Sequence, residues 1–121
     1  MNFCWITLTV KNMEESLKFY HDIIGLKIAE RFNVGSDREI VMLGNADGTK
    51  IELVCNKTES ISAKAEGLSI GFQVKSLDYA MKLLKDNNIP IKRGPISPVP
   101  SSKFFFVDDP NGIEIQIIQN N

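Results

Sequence analysis

Residues 3-10 (FCWITLTV) alternate with period two, which predicts a strand with Cys4, Ile6, Leu8 and Val10 on one face and Phe3, Trp5, Thr7 and Thr9 on the other. The period then changes. Met13, Leu17, Tyr20 and Ile24 recur at helical spacing behind Asn12, a good N-cap, with Glu15 placed to complete a capping box. Gly25 stands where a helix C-cap is expected. Three further strands are predicted near 26-33, 39-44 and 49-56, separated by turns at Gly35, Gly44 and Asp47-Gly48. The same order returns. A strand is predicted over 68-75, then a helix capped by Ser76 and carrying Leu77, Ala80, Met81 and Leu84, then strands near 91-93, 102-107 and 113-119. Four of the five prolines lie at 90, 95, 98 and 100, so 94-100 reads as a surface loop bordering the mouth of a site.

The two halves align at one gapless offset of 64 residues. NADGTKIELV (45-54) lies over DPNGIEIQII (109-118), and Ile6, Leu8 and Val10 lie over Ile70, Phe72 and Val74. The expected fold is α+β: one domain over 1-121 made of two βαβββ modules, about 1-60 and 61-121. Each half is too small to bury a core alone. One face of each four-stranded sheet should cover its own helix. The other face carries Trp5, Thr7, Thr9, Lys50, Glu52 and Val54 in the first half. In the second it carries Ser69, Gly71, Gln73, Glu114, Gln116 and Ile118, joined by Phe104 and Phe106. That mixture suits neither a second core nor a merely solvated face. Two such sheets curling together would form a cup for a small molecule.

Composition narrows the function. Lys and Arg number 14 against 15 Asp and Glu, for a net charge of -1, which leaves no footprint for nucleic acid or an anionic membrane. No apolar run approaches the roughly 20 residues of a membrane span. The N-terminus lacks a basic segment with a cleavage site, so a cytoplasmic setting is expected. Cys4 and Cys55 make neither a disulfide framework nor a zinc spacing, and both read as small buried residues on the helix side. His21, the only histidine, falls on the first helix as a solvated or partner-facing residue, away from the cup face.

The strand ITLTV, the helix SLKFYHDIIGLKI, KIELV and FFFVDDPNGIEIQII together resemble the vicinal oxygen chelate superfamily, which includes glyoxalase I, bleomycin-resistance proteins and extradiol dioxygenases. The resemblance covers residues 3-119. It implies paired βαβββ modules forming a cup around a metal, often in a homodimer. Carried over by position, the family's metal ligands fall on Trp5, Glu52, Ser69 and Gln116. A catalytic divalent site needs about three protein ligands and an open position. Glu52 is a normal ligand, Gln116 offers a carbonyl oxygen, Ser69 is a poor ligand and Trp5 cannot coordinate. No cofactor is therefore expected, and a divalent metal is disfavoured.

The candidate ligand-binding residues are Trp5, Thr7, Glu52, Ser69, Gln73, Phe104, Phe106, Glu114 and Gln116, with Glu52 the candidate catalytic group. Glu52 reads as a general base, as a carboxylate fixed by Lys50, Thr7 or a neighbouring strand, or as a relic of a lost metal site. Trp5, Phe104 and Phe106 read as stacking walls or as packing. Asp108 and Asp109, before Pro110-Asn111-Gly112, read as turn chemistry. The leading expectation is a small-molecule binding protein of the glyoxalase/bleomycin-resistance type without a standard metal site. The alternative is a lyase, isomerase or dioxygenase using Glu52 as base or within an unusual metal site.

Overall fold

A computed structural model describes residues 1-58 and 65-120. The expected junction of the two modules, near 60-61, lies outside the described residues. The chain divides into two compact units, Met1–Ala63 and Lys64–Asn121.

The first unit runs β1 (Trp5–Thr9), α1 (Met13–Leu17), a π-helical continuation (Lys18–Ile23), β2 (Ile28–Val34), β3 (Arg38–Leu43) and β4 (Lys50–Asn56). Its sheet has the order β1-β4-β3-β2. The β1–β4 pair is parallel and the other pairs are antiparallel. The second unit runs β5 (Ser69–Gln73), α2 (Leu77–Asp86), β6 (Arg93–Val99), β7 (Ser102–Asp108) and β8 (Glu114–Asn120). Its sheet has the matching order β5-β8-β7-β6, again with one parallel pair, β5–β8. The architecture is thus α+β, with two four-stranded mixed sheets.

Alternation sorts the strands as expected. On the helix side of the first sheet Leu8, Val41, Leu43, Ile51 and Leu53 are buried. In the second sheet Phe105, Val107, Ile115 and Ile117 take that role. The helix starts are built alike. The Asn12 side chain accepts the Glu15 N–H at 3.0 Å, and Ser76 Oγ accepts the Tyr79 N–H at 3.1 Å, each satisfying a donor that the first turn leaves free.

Three features depart from the sequence reading. First, α1 widens into a π-helix, with the Ile24 N–H reaching back to the Phe19 carbonyl at 2.9 Å. The wider turn brings both Phe19 and Tyr20 inside, edge to face at 4.9 Å. A strict 3.6-residue spacing selects only Tyr20. Second, 94-100 is not a loop, because residues 93-99 form β6. The strand lies at the sheet edge and pairs only with β7, through an irregular register of Arg93 with Phe106, Ile96 with Phe104 and Val99 with Ser102. An edge strand tolerates Pro95 and Pro98 because a missing N–H there costs no bond to a second neighbour. Third, Cys4 is exposed, just outside β1. Cys55 is partly buried. The Lys50 N–H donates to the Cys4 carbonyl at 3.0 Å, which sets Cys4 level with Thr49. Cys55 is six residues further along the same strand, roughly 20 Å away at the strand rise. A disulfide needs Cα atoms within about 7 Å, so the two thiols do not pair within one chain.

The turn into β8 confirms Asp109 as turn chemistry. Its buried carboxylate accepts the Asn111 and Ile113 N–H groups, each at 2.8 Å. Asp109→Ala strips two interior donors of their acceptor and is expected to cost about 2–4 kcal/mol. Urea unfolding should show this as a lower midpoint at unchanged slope.

Candidate functional site

The face of each sheet turned away from its helix carries the candidate residues, and strand register sets them in rows. In the first sheet one row runs Thr7, Glu52, Met42, Glu30 across β1, β4, β3 and β2. The next row runs Thr9, Val54, Ile40, Phe32. Trp5 pairs with Lys50, one step the other way, so it sits diagonally from Glu52. Trp5 keeps 52% of its surface exposed and Phe32 keeps 41%, while Met42 is buried.

Thr7 Oγ1 donates to Glu52 Oε1 at 2.7 Å. That bond fixes the carboxylate on the sheet. Among the described residues the second oxygen of Glu52 has no hydrogen-bond or ion-pair partner. Lys50 does not supply one, since its ammonium donates to the Ala46 and Gly48 carbonyls, each at 2.9 Å. Of the anchors expected for Glu52, Thr7 is the one that holds it.

The second sheet offers a different chemistry at the equivalent places. One row runs Gly71, Gln116, Phe106, Arg93 and the next Gln73, Ile118, Phe104, Ile96. Gly71 matches Thr7 and Gln116 matches Glu52 at the 64-residue offset. The Gln116 carboxamide passes beside Gly71, where an added Cβ would stand 3.7 Å from Oε1. The carboxamide forms no hydrogen bond among the described residues. Phe104 and Phe106 meet edge to face at 5.7 Å. Ser69 pairs with Glu114 at the end of the sheet, and both Ser69 and Gln73 are exposed.

Arg93 was not among the sequence candidates. Its guanidinium lies over the Phe106 ring at 4.1 Å and donates to Glu114. Lys92 joins Glu114 at 3.7 Å and Asp108 at 3.2 Å. Glu114 is therefore neutralised within its own sheet. In the sequence Arg93 stands at the end of a predicted strand near 91-93 without a partner, and only the pairing of β6 with β7 sets it opposite Phe106. Met42, Ile40 and Phe32 were also missed, although alternation along 39-44 contained that signal. Arg31 lies on the helix side instead. Bonds to Glu39 and Glu14 raise its pKa, and they tie β2 to β3 and to α1.

His21 is exposed on the π-helical turn, and its Nδ1 lies 2.7 Å from the Leu26 carbonyl oxygen. Neither His21 nor a cysteine joins the open face of a sheet, since Cys55 lies on the helix side of β4 opposite Glu39. The donor set at the family's four ligand positions does not fit a catalytic divalent metal. It comprises one carboxylate, one carboxamide, an exposed hydroxyl and an indole that has no lone pair to give. Among the described residues no group of three His, Cys, Asp or Glu side chains is placed to hold a metal ion. No helix among them is long and apolar enough to cross a membrane.

Comparison with known proteins agrees with this architecture. The family model described as Glyoxalase/Bleomycin resistance protein/Dioxygenase superfamily matches residues 3–117. The chain is 29% identical over 119 residues to a lactoylglutathione lyase of Neisseria meningitidis, covering 93% of this chain and 86% of the relative. The trypanothione-dependent glyoxalase I of Leishmania major superposes with a TM-score of 0.84 at 22% identity, over 98% of this chain and 86% of that one. An antibiotic binding protein from Streptomyces superposes with a TM-score of 0.72 at 16% identity, over 100% and 97% of the two chains.

Proposed function

The chain belongs to the glyoxalase/bleomycin resistance protein/dioxygenase superfamily, and from that premise we propose that it is a small-molecule binding protein that works without the family's metal. The observation that carries this reading is the pair Glu52 and Gln116. Each module presents at the equivalent position a polar side chain with unused hydrogen-bonding capacity, set among apolar and polar neighbours on the open sheet face. Such groups fix a ligand's orientation while apolar neighbours supply contact area. The proposed contacts are Trp5, Thr7 and Glu52 on the first sheet. On the second they are Ser69, Gln73, Phe104, Phe106, Gln116 and Glu114, the last already held by Arg93. A homodimer and a cytoplasmic setting belong to the same proposal.

A second reading is favoured by one observation, the Glu52 carboxylate with one oxygen fixed by Thr7 and the other open. A carboxylate so placed can take a proton as a general base. The lactoylglutathione lyase of Neisseria meningitidis gives that reading its reaction class. Turnover of a hemithioacetal that is lost in Glu52→Gln would establish it.

The metal question has a direct test. Protein purified without chelator or affinity metal is expected to hold far less than one transition metal per chain. Nickel, zinc, manganese and iron should leave its melting temperature unchanged. A bound metal at a hundredfold excess over its Kd would stabilise by about 2.7 kcal/mol, a shift of several degrees. One metal per chain, with that shift, overturns the metal-free reading.

A further inference from the structure

We infer that the first sheet's open face selects ligands that carry a positive charge on an aromatic or apolar body. This rests on the small-molecule reading and names the ligand class for its first-sheet contacts. The two faces differ in how their acids are balanced. On the second sheet, Glu114 is matched by Arg93 and Lys92, so that face asks no charge of a ligand. On the first sheet, Glu52 forms no ion pair among the described residues, and neither does Glu30 in the same row. The cations on this face are engaged with neutral partners. Lys50 is turned to the Ala46 and Gly48 carbonyls, and Arg38 Nε donates to Asn56 Oδ1 at 2.9 Å.

The two carboxylates stand two strands apart, about 10 Å at ordinary strand spacing. Between them lies Met42, and alongside runs the row of Val54, Ile40 and Phe32. A half-buried carboxylate beside apolar side chains attracts a cation more strongly than one in open water, because less solvent screens the pair. The apolar row accepts the ligand's body. Trp5, diagonal to Glu52, adds a ring face on which a cation also gains. Thr7 fixes Glu52 Oε1 and leaves Oε2 for the incoming N–H.

The test uses three probes of one shape: phenylbutylamine, phenylbutanol and phenylbutyrate. Trp5 is the only tryptophan, so its fluorescence reports binding at this face. The amine is expected to saturate with a Kd about tenfold below that of the alcohol, with the acid weakest, as a partly exposed charge pair allows. In Glu52→Gln, which keeps the side chain's shape, the amine and the alcohol should converge. An alcohol or acid that binds the natural chain as tightly as the amine overturns the charge selection and leaves the small-molecule reading standing. A preference for the amine that survives Glu52→Gln unchanged overturns the assignment to this carboxylate. Saturable binding of none of the three overturns both.

Discussion

Phe105→Ala is expected to unfold the second module's sheet or bring it close to unfolding, while Phe106→Ala leaves it folded. Phe105 is fully buried on the helix side of β7. Truncating such a ring costs about 3–5 kcal/mol, through lost transfer energy and the cavity left behind. A domain of this size commands only about 5–15 kcal/mol in total. Phe106, one residue later, points to the opposite face and is partly exposed. There it meets Phe104 and Arg93. Losing an edge-to-face ring contact and a cation–π contact amounts to about 1–2 kcal/mol. Chemical denaturation of the two variants decides the matter. Equal losses would mean that the open face of β7 is part of the core and not a ligand surface.

Trp5→Ala is expected to weaken phenylbutylamine binding by about thirtyfold while the protein stays folded. About half of the indole surface is uncovered, at 52% exposure. That leaves on the order of 100 Å² for a ligand to cover, out of the 150–250 Å² an aromatic side chain can bury. At about 25 cal/mol per Å² the contact is worth roughly 2 kcal/mol of affinity. The fold should lose about 1 kcal/mol, as at other outward-facing strand positions. Calorimetric titration replaces fluorescence here, since the variant has no tryptophan. A variant that melts far below the natural chain, yet binds the amine normally in its folded fraction, makes Trp5 a structural residue.

Much of the fold was legible because two independent periodicities coincide. Alternation along 3-10 and 113-119 separated helix-facing from outward residues, and the 64-residue offset supplied a second copy of each inference. Ser76 was read as a cap from its residue type and its distance to the apolar helix positions, and its bond to the Tyr79 N–H has that geometry. The errors share a cause: they are places where local chemistry is overruled by what lies beside it. Pro95 and Pro98 signal a loop, but an edge position makes a strand affordable there. Phe19 violates helical spacing, and the π-helical turn alters the spacing itself. Cys4 alternates with the buried set, but the strand ends at Trp5, so the pattern outruns the structure by one residue. Within the candidate site, the residues read from sequence lie on the expected sheet faces. Their partners were legible only in part: Thr7 stands among the expected anchors of Glu52, whereas Arg93 is not expected beside Glu114. The Thr7–Glu52 bond requires the parallel register of β1 with β4, and the Arg93–Glu114 contact requires β6 to exist.

The two prolines of β6 have a consequence beyond the fold they sit in. An outermost strand with free N–H and C=O groups invites a strand from another molecule, and repeated recruitment builds a fibre. Pro95 and Pro98 contribute no N–H, so β6 cannot offer an unbroken ladder to a newcomer. β2 occupies the corresponding edge of the first sheet without a proline. It has a bulge between Ile28 and Glu30 and exposed charges at Glu30 and Arg31 instead. The segment that looked least like regular structure in the sequence thus acts as a terminator: it adds the fourth strand and blocks a fifth at its own edge of the sheet.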